Sequence, residues 1–174
     1  MKIFILAIFF SVNAFADTYK LDSRNGEMSG LAIGKPSLMK IKIEGPGPSG
    51  VLTENQNAVS GFLTLNLKDL KTGIDLRDRH MKEKYLEIGK FPEAQLHLMN
   101  LKIIDSNVEQ IFTGNLVLKG ESKPVSGTYK LNDGKLLAKF TFSIKDYPIA
   151  TPKYLGIEVT DKVEIEINSK ITRE

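Results

Sequence analysis

Cysteine is absent from this sequence of 174 residues. Without cysteine the chain cannot form disulfide-bonded scaffolds, thiolate zinc sites, iron–sulfur clusters or cysteine nucleophiles. Histidine is almost as scarce, because only His80 and His97 are present. One chain therefore cannot assemble a three-histidine metal site. We predict neither a metal centre nor a cofactor.

Sequence motifs for catalysis and nucleic-acid binding are lacking as well. There is no Gly-x-Ser-x-Gly, no His-Glu-x-x-His and no phosphate-binding loop. The formal net charge of +3 comes from thinly spread lysines, which argues against a nucleic-acid partner. The carboxylates are dispersed among lysines, and nothing favours an enzyme, although two carboxylates that meet only in space would leave no sequence signal. We therefore predict a protein that is not an enzyme.

What is present suits one folded domain. Hydrophobic residues make up 41% of the chain and charged residues 26%, a balance that argues against intrinsic disorder. A chain of 174 residues is long enough for a single domain with a sizeable core. No internal repeat or long linker marks a second domain, so we predict only one.

The first 16 residues have the pattern of a secretory signal peptide. Residues 1–2 give a positive start, residues 3–12 form an apolar run, and Ala14-Phe15-Ala16 matches a cleavage site. The run is short for spanning a bilayer, so a retained anchor is the weaker alternative. We predict cleavage near Ala16, a mature domain at residues 17–174, and a periplasmic or secreted location. No later apolar run approaches about 18 residues, so the mature protein is not expected to span a membrane.

Alternation of polar and apolar residues is the dominant pattern of the mature chain. A period of two is typical of strands with one wet face and one dry face. Such strands are predicted within residues 39–44, 62–68, 95–99, 115–119, 138–145 and 162–168. Turn residues lie between them. The Asp133-Gly134 pair is typical of a tight hairpin, and the Gly/Pro-rich stretch 45–50 is expected to be neither helix nor central strand.

One segment departs from the period of two. Over residues 75–87 apolar side chains recur at roughly helical spacing, as Leu76, Met81 and Tyr85 show. The spacing predicts a short helix or a helical lid after the strand that ends at Leu70. Several antiparallel strands with one helical insertion indicate an all-β barrel or sandwich, and composition does not choose between the two.

Three stretches follow one another in an order that points to one family. The first spans residues 69–94, the second (TGNLVLKGESKPV) residues 113–125, and the third (FSIKDY) residues 142–147. The family positions of the first stretch are matched by Thr72, Arg77, Asp78, His80, Met81, Tyr85, Leu86, Phe91, Pro92 and Ala94. In these stretches the chain resembles the YceI-like family of exported lipid-binding barrels. The resemblance implies an all-β fold, an antiparallel lipocalin-like β-barrel of about eight strands with one short helical insertion.

The apolar faces of the predicted strands give a candidate binding surface. We take the more apolar face of each strand to point inward. The residues on those faces are Leu63, Leu65, Leu67, Leu96, Leu98, Phe140, Phe142, Ile144, Val163, Ile165 and Ile167. Taken alone, they could simply fill the core. The resemblance implies instead that they surround a cavity for an acyl or prenyl chain.

The helical segment supplies the candidates for a head-group contact or a lid, namely Arg77, His80, Met81 and Tyr85. A guanidinium suits a phosphate or a carboxylate, so Arg77 or His80 could contact a ligand head group at the barrel mouth. In the structural alternative, Asp78 caps the helix start, and an Arg or His ties the lid to the barrel. His97 alternates with inward-facing leucines and is expected to face water.

Two functional hypotheses follow. In the first, the protein sequesters or carries a long-chain apolar lipid, isoprenoid or fatty-acid-like, inside the barrel, and the helical lid gates entry. The second is motivated by residues 28–43, which lack the histidines of the family pattern. In it the barrel is filled and acts as a structural or protein-interaction factor in the periplasm, without a lipid. An enzyme acting on a lipid-like substrate is a weaker third alternative, and the oligomeric state stays open.

Overall fold

A computed structural model describes residues 17–36, 39–102, 106–154 and 156–174. The predicted signal peptide at residues 1–16 lies outside the described residues. Strands dominate the described chain, as the alternating pattern predicts. Within these ranges, no helix has both the length and the apolar character needed to cross a membrane.

The described residues form ten strands and one helical segment. The strands are β1 (Thr18–Lys35), β2 (Met39–Pro46), β3 (Ser49–Asn55), β4 (Ala58–Asn66), β5 (Glu93–Leu101), β6 (Ser106–Leu118), β7 (Glu121–Asn132), β8 (Lys135–Ser143), β9 (Lys153–Tyr154) and β10 (Ile157–Arg173). Between β4 and β5, helix α1 (Asp75–Arg79) continues as a π-helix over His80–Tyr85. Single 3-10 turns follow β4 at Leu67–Asp69 and β8 at Ile144–Asp146. The predicted helical insertion is confirmed.

Eight strands close into an antiparallel barrel. Neighbours pair in the order β1, β3, β4, β5, β6, β7, β8, β10. The ring closes where β1 pairs with β10, from Tyr19 opposite Arg173 to Lys35 opposite Glu158. The two-residue β9 is added beside the start of β10. The predicted eight-stranded barrel is therefore confirmed, and of the two architectures that composition left open the sandwich is wrong.

Strands β2 and β3 together make one interrupted strand along the same side of β1. β3 lies beside the first residues of β1, and β2 lies beside its second half. The interruption is confined to Gly47 and Pro48. The expectation that residues 45–50 contain no central strand is wrong at Gly50, which pairs with both β1 and β4. Glycine permits this because a Cβ there would stand 2.3 Å from the Phe62 carbonyl oxygen.

The inward face of β1 changes parity along the strand. Tyr19 and Leu21 are buried near its start, whereas Met28 and Ala32 are buried in its second half. The change occurs where the register with β10 shifts, between Leu21 and Gly26. An odd shift of this kind at a bulge transfers the following residues to the other face. No single period of two runs through β1, and the alternation pattern therefore does not reveal it.

Two-residue turns connect the strands on either side of β7. At the β7–β8 turn, Asp133 and Gly134 have φ values of 50° and 68°. Positive φ at both central positions is the geometry that tight hairpins favour, so the predicted hairpin is confirmed. The β6–β7 turn has the same form, with φ 50° at Lys119 and 80° at Gly120. Lys119 holds this conformation without being glycine, which the contacts of its side chain explain below.

Side chains fill one half of the barrel interior, which we call the filled half. Leu21, Leu52 and Val59 are its most deeply buried residues, with at most 2% exposure. Two tyrosines reach out of it with their hydroxyls satisfied: Tyr19 donates to Glu54 Oε2 at 2.7 Å, and Tyr129 donates to the Lys102 carbonyl oxygen. The buried residues of the filled half are Tyr19, Leu21, Leu52, Val59, Leu98, Phe112, Tyr129, Leu131, Ala138 and Ile171.

Candidate functional site

The other half of the barrel, which we call the open half, contains a cavity of about 550 Å³. Its volume falls within the range of small-molecule sites, and its wall is almost wholly apolar. Strand faces supply most of the wall, and the helical segment lies across the end of the barrel. The cavity is therefore the feature of the described chain best suited to hold an apolar ligand.

Ten of the eleven interior residues predicted from the sequence line this cavity: Leu63, Leu65, Leu67, Leu96, Phe140, Phe142, Ile144, Val163, Ile165 and Ile167. Leu98 is not part of the cavity wall. It is buried, with 6% exposure, but it lies one inward position beyond Leu96 and belongs to the filled half. Alternation identifies the inner face of a strand and carries no information about depth along the barrel axis.

Two phenylalanines form the floor between the two halves. The Phe140 ring lines the cavity and meets the Phe112 ring edge to face, with centroids 6.1 Å apart. Both pack against Gly127 of β7, where an added Cβ would stand 2.7 Å from the Phe140 Cβ and 2.8 Å from a Phe112 ring carbon. A side chain at position 127 would therefore displace the floor.

The helical segment brings the predicted head-group and lid candidates to the cavity. All four of them line it: Arg77, His80, Met81 and Tyr85. Leu76 and Leu86 add apolar surface on the same segment. Their helical spacing places these side chains on one face of the segment, and that face is turned toward the barrel. The structure therefore brings together the residues that the spacing pattern singled out.

The start of the helical segment is fastened at Thr72. The Thr72 N–H donates to Asp78 Oδ1 at 2.6 Å, and the Thr72 hydroxyl donates to the same oxygen. Arg77 Nη2 donates to the Thr72 carbonyl oxygen at 2.6 Å. The suggested helix cap at Asp78 is wrong: the residue at the cap position is Ile74, whose side chain has no acceptor, and Asp78 lies inside α1, where its carboxylate accepts from Thr72. Arg77 therefore ties the helix to a residue five positions before it and not directly to a barrel strand.

The charged residues that line the cavity are basic. Arg77 Nε is buried and has no hydrogen-bond partner among the described residues. Lys153 also lines the cavity, and its Nζ forms an ion pair with Glu158 Oε2 at 2.8 Å. In the part of the chain that the structure describes, no Asp or Glu belongs to the cavity wall. Of these two basic residues, Arg77 is the one without an ion pair among the described residues.

The end of the helical segment is fastened by Lys119, whose side chain is only 5% exposed. Its Nζ donates to Glu87 Oε1 at 2.6 Å and to the Pro148 carbonyl oxygen at 2.8 Å. The hydrogen bond and the charge of Lys119 lower the pKa of the Glu87 carboxyl. These bonds also account for a lysine at a positive φ, a conformation that persists where the surroundings fix it. Lys119 lies in the family-like stretch at residues 113–125, but the sequence does not reveal that it holds the end of the helical segment.

Two tyrosines complete the surroundings of the cavity. Tyr85 Oη accepts a hydrogen bond of 3.3 Å from the Lys153 N–H, which joins the helical segment to β9. Tyr147 donates to the Leu116 carbonyl oxygen at 3.2 Å and meets Phe142 edge to face, with centroids 5.8 Å apart. Burial raises the pKa of Tyr147 to about 12, so its hydroxyl keeps its proton.

Part of the cavity wall is formed by residues that the sequence does not predict to be there. The unpredicted wall residues include Met28, Ala32, Ile41, Ile43, Leu116, Leu118, Ile149, Ile157 and Val159. A signal exists for those of β2 and β6, because both strands alternate. The bulge in β1 hides Met28 and Ala32, and the chain after β8 has no regular period from which Ile149 could be inferred.

His97 lies outside the barrel, as predicted. Its side chain is exposed on β5, where Nε2 lies 3.3 Å from Gln95 Oε1 and the ring centroid 6.0 Å from that of Phe62. Within the described ranges, no group of three or more His, Asp or Glu residues is arranged to hold a metal ion.

Comparison with known sequences adds a family and curated relatives. A family model described as YceI-like domain matches residues 19–171. Proteins named YceI from Salmonella arizonae and Salmonella paratyphi B are each 32% identical over 79 residues, which is 45% of this chain. The match covers 40% of the length of each of these curated relatives.

Solved structures share the fold over most of their length. A polyisoprenoid binding domain from Saccharophagus degradans has a TM-score of 0.65 at 12% identity, covering 87% of this chain and 98% of its own. BcnA from Burkholderia cenocepacia has a TM-score of 0.67 at 15% identity, covering 87% and 99%. The YceI protein of Campylobacter jejuni has a TM-score of 0.57 at 17% identity, covering 100% and 99%. At these identities the likeness shows the fold alone.

Proposed function

This chain belongs to the YceI-like domain family, and from that membership we propose that it binds a long-chain apolar lipid, isoprenoid or fatty-acid-like, in the open half of its barrel. The observation that carries the proposal is the apolar cavity of about 550 Å³. The structural similarity to a polyisoprenoid binding domain supports an apolar chain as the ligand class.

The proposed contacts divide between tail and head. The ten predicted residues that line the cavity would surround the tail, together with the wall residues of β1, β2 and β6. Leu98 is not among the proposed contacts, because it lies in the filled half. The residues near the head group would be Arg77, His80, Met81 and Tyr85, which the helical segment presents to the cavity.

The proposed mechanism is sequestration of the tail from water. Each buried methylene contributes about 0.8 kcal/mol, so a tail of a dozen carbons gains roughly 10 kcal/mol before the costs of association. We propose that the helical segment moves to admit the ligand. Its contact with β9 is a single hydrogen bond of 3.3 Å from the Lys153 N–H to Tyr85 Oη, whereas Glu87, two residues further along, is held by the buried Lys119. We propose that the Tyr85–Lys153 contact breaks first, while the Glu87–Lys119 ion pair keeps the segment attached to the barrel.

We propose binding rather than catalysis, in the periplasm or outside the cell. No carboxylate of the described chain lines the cavity, so a paired-carboxylate mechanism lacks its groups there. The location rests on the sequence pattern of residues 1–16. Fractionation with N-terminal sequencing tests it: exported protein that starts at residue 17 is expected, and protein confined to the cytoplasmic fraction with Met1 in place would contradict it.

The experiment that tests the binding proposal is native mass spectrometry of the protein purified from its own host. The wild type is expected to carry an adduct of a few hundred daltons that organic extraction removes. Ala94→Phe places a ring inside the cavity and should abolish the adduct. Gln95→Phe, the next residue on the same strand, adds the same ring outside the barrel wall and should retain it.

Two results would contradict the proposal. One is a bare mass in repeated preparations together with no uptake of added prenyl or acyl lipids. The other is an adduct that Ala94→Phe carries as fully as the wild type, since the ligand would then bind elsewhere. The first result would favour the filled barrel that acts by protein contact, an alternative that the packing of the filled half supports for half of the interior.

A further inference from the structure

We propose that the bound lipid carries an anionic head group, a carboxylate or a phosphate ester, which accepts hydrogen bonds from the Arg77 guanidinium at the end of the cavity. This inference rests on the proposed lipid binding and specifies its ligand class. The observations behind it are the charge of the cavity wall, the state of the Arg77 donors and the position of Arg77 relative to the apolar space.

The charge of the wall favours an anion over a neutral or cationic head. The charged residues that line the cavity in the described chain are basic, and no carboxylate offsets them there. Lys153 is already paired with Glu158 at 2.8 Å. Arg77 forms no ion pair with a carboxylate of the described residues, so its charge is the one left for a ligand to neutralise.

The hydrogen-bond donors of Arg77 are only partly used. Nη2 donates to the Thr72 carbonyl oxygen at 2.6 Å, which fixes the guanidinium plane. Nε is buried and unpartnered among the described residues. A buried donor of a charged group that lacks an acceptor is destabilising. An oxyanion in the cavity would accept charge-assisted hydrogen bonds from the guanidinium N–H groups that Thr72 does not use.

The position of Arg77 sets the orientation of the lipid. The walls deeper in the barrel are leucine, isoleucine and phenylalanine, and the floor is closed by Phe140 and Phe112. A charged group cannot enter that space without a large desolvation cost. The tail therefore points to the floor, and the head lies at the helical segment, where Arg77 lines the cavity without an ion pair among the described residues.

The test compares lipids that share a tail and differ in the head. We would measure the affinities of palmitic acid, hexadecyl phosphate, methyl palmitate and hexadecanol for the wild-type protein. Charge-assisted hydrogen bonds should make the two anions bind at least about tenfold more tightly than the ester or the alcohol. Inorganic phosphate alone, used as a competitor, distinguishes recognition of the free anion from recognition of an anionic lipid.

Variants assign the preference to one side chain. Arg77→Met should lower the affinity for both anionic lipids by about tenfold and leave that for methyl palmitate unchanged, a result that a merely structural role would not produce. Arg77→Lys keeps the charge without the planar fork and should fall between the two. Arg79→Met removes an exposed arginine of the same helix that does not line the cavity, and it should behave as the wild type.

The possible results distinguish a failure of the anionic head group from a failure of the proposed lipid binding. Equal binding of anions and neutral lipids by the wild type would overturn the anionic head group and leave lipid binding intact. A preference that persists in Arg77→Met would overturn the role of Arg77. Failure of every lipid to bind would overturn both proposals. If Arg77→Met does not fold, the wild-type ratio and the Arg77→Lys variant still decide the question.

Discussion

The two halves of the barrel are built from the same strands and yet differ in their interiors. In the filled half, Leu21, Leu52 and Val59 exclude solvent almost completely. In the open half, the same strands continue with inward leucine, isoleucine and alanine around a cavity of about 550 Å³. Tyr19, Phe112 and Tyr129 place three large rings in the filled half, and Phe140 and Phe142 line the cavity beside the small Ala32 and Ala94.

This difference shows that strand alternation and interior packing are separate properties. Alternation decides which side chains face inward, and it holds in both halves. Whether those side chains meet depends on their volumes and on what covers the barrel end. Within the described residues, the filled half is packed with side chains, while the open half is covered by the helical segment, which Thr72 and Lys119 fasten. The halves should therefore respond differently to the same substitution.

Leucine-to-alanine changes should show the largest difference in stability between the two halves. Leu52→Ala in the filled half creates a cavity and should lower the free energy of unfolding by about 2–5 kcal/mol. Leu65→Ala in the open half only enlarges an existing cavity and should lower it by roughly 1 kcal/mol. Urea unfolding of both variants measures the difference, and equal losses would mean that the open half is packed as densely as the filled one.

Alanine-to-phenylalanine changes test the same difference by adding side-chain volume instead of removing it. Ala138 is buried in the filled half, so Ala138→Phe should overpack it and lower the free energy of unfolding by about 1–3 kcal/mol. Ala94→Phe occupies free volume in the open half and should leave that free energy unchanged or raise it by up to about 1 kcal/mol. Thermal unfolding without ligand checks both. A strong destabilisation by Ala94→Phe would show that the cavity cannot accept a ring.

The floor between the two halves should limit the length of the lipid tail that the cavity can hold. Affinity in a series of saturated fatty acids should rise about fourfold per methylene, the equivalent of 0.8 kcal/mol, until the tail reaches Phe140. Phe112→Leu lowers the floor and should move the plateau to longer chains. Phe62→Leu changes an exposed ring on the outer face and should not move it. A plateau at the same length in all three proteins would place the end of the tail elsewhere.

The smallest effect concerns pH and the fastening of the helical segment. The pKa of Glu87 is lowered by Lys119, so the pair contributes stability at pH values above the usual 4.5. That contribution should be lost as pH falls through the lowered pKa. Glu87→Gln should remove this part of the pH dependence, whereas Glu83→Gln, an exposed change in the same segment, should preserve it. Unfolding free energies measured between neutral and acidic pH compare the three proteins, and an identical pH dependence for Glu87→Gln would contradict the assignment.

The sequence predicts the barrel better than it predicts the interior. Strands with unbroken alternation, such as those around Leu65, Phe140 and Ile165, are found in the structure with the expected face inward. β1 is missed because its bulge changes the inward parity, and β3 because it begins with Ser49-Gly50 and follows Gly47-Pro48. β7 is missed as well, because Gly127 interrupts the apolar residues of its inward face. These failures come from local backbone geometry and from a glycine on an inner face, which a period of two does not describe.

The candidate site shows a second limit of sequence reasoning. Arg77 and Tyr85 could be selected because their helical spacing and their chemistry are both visible in the sequence. Alternation places Leu98 on the inner face of β5, but it does not report how deep along the barrel axis that residue lies. Lys119 escaped notice because its partners, Glu87 and Pro148, lie far away in sequence and meet it only through the closure of the barrel.

The ladder between β1 and β10 has a consequence for the order of folding. It pairs Tyr19 with Arg173, residues separated by almost the whole described chain. The strands from β3 to β8 can pair with their sequence neighbours as they are made, but the ring stays open until β10 is available. Contacts of such long range bear the largest loop-closure entropy and form slowly. A nascent or truncated chain that lacks β10 would therefore expose two unpaired strand edges, which are sites of aggregation.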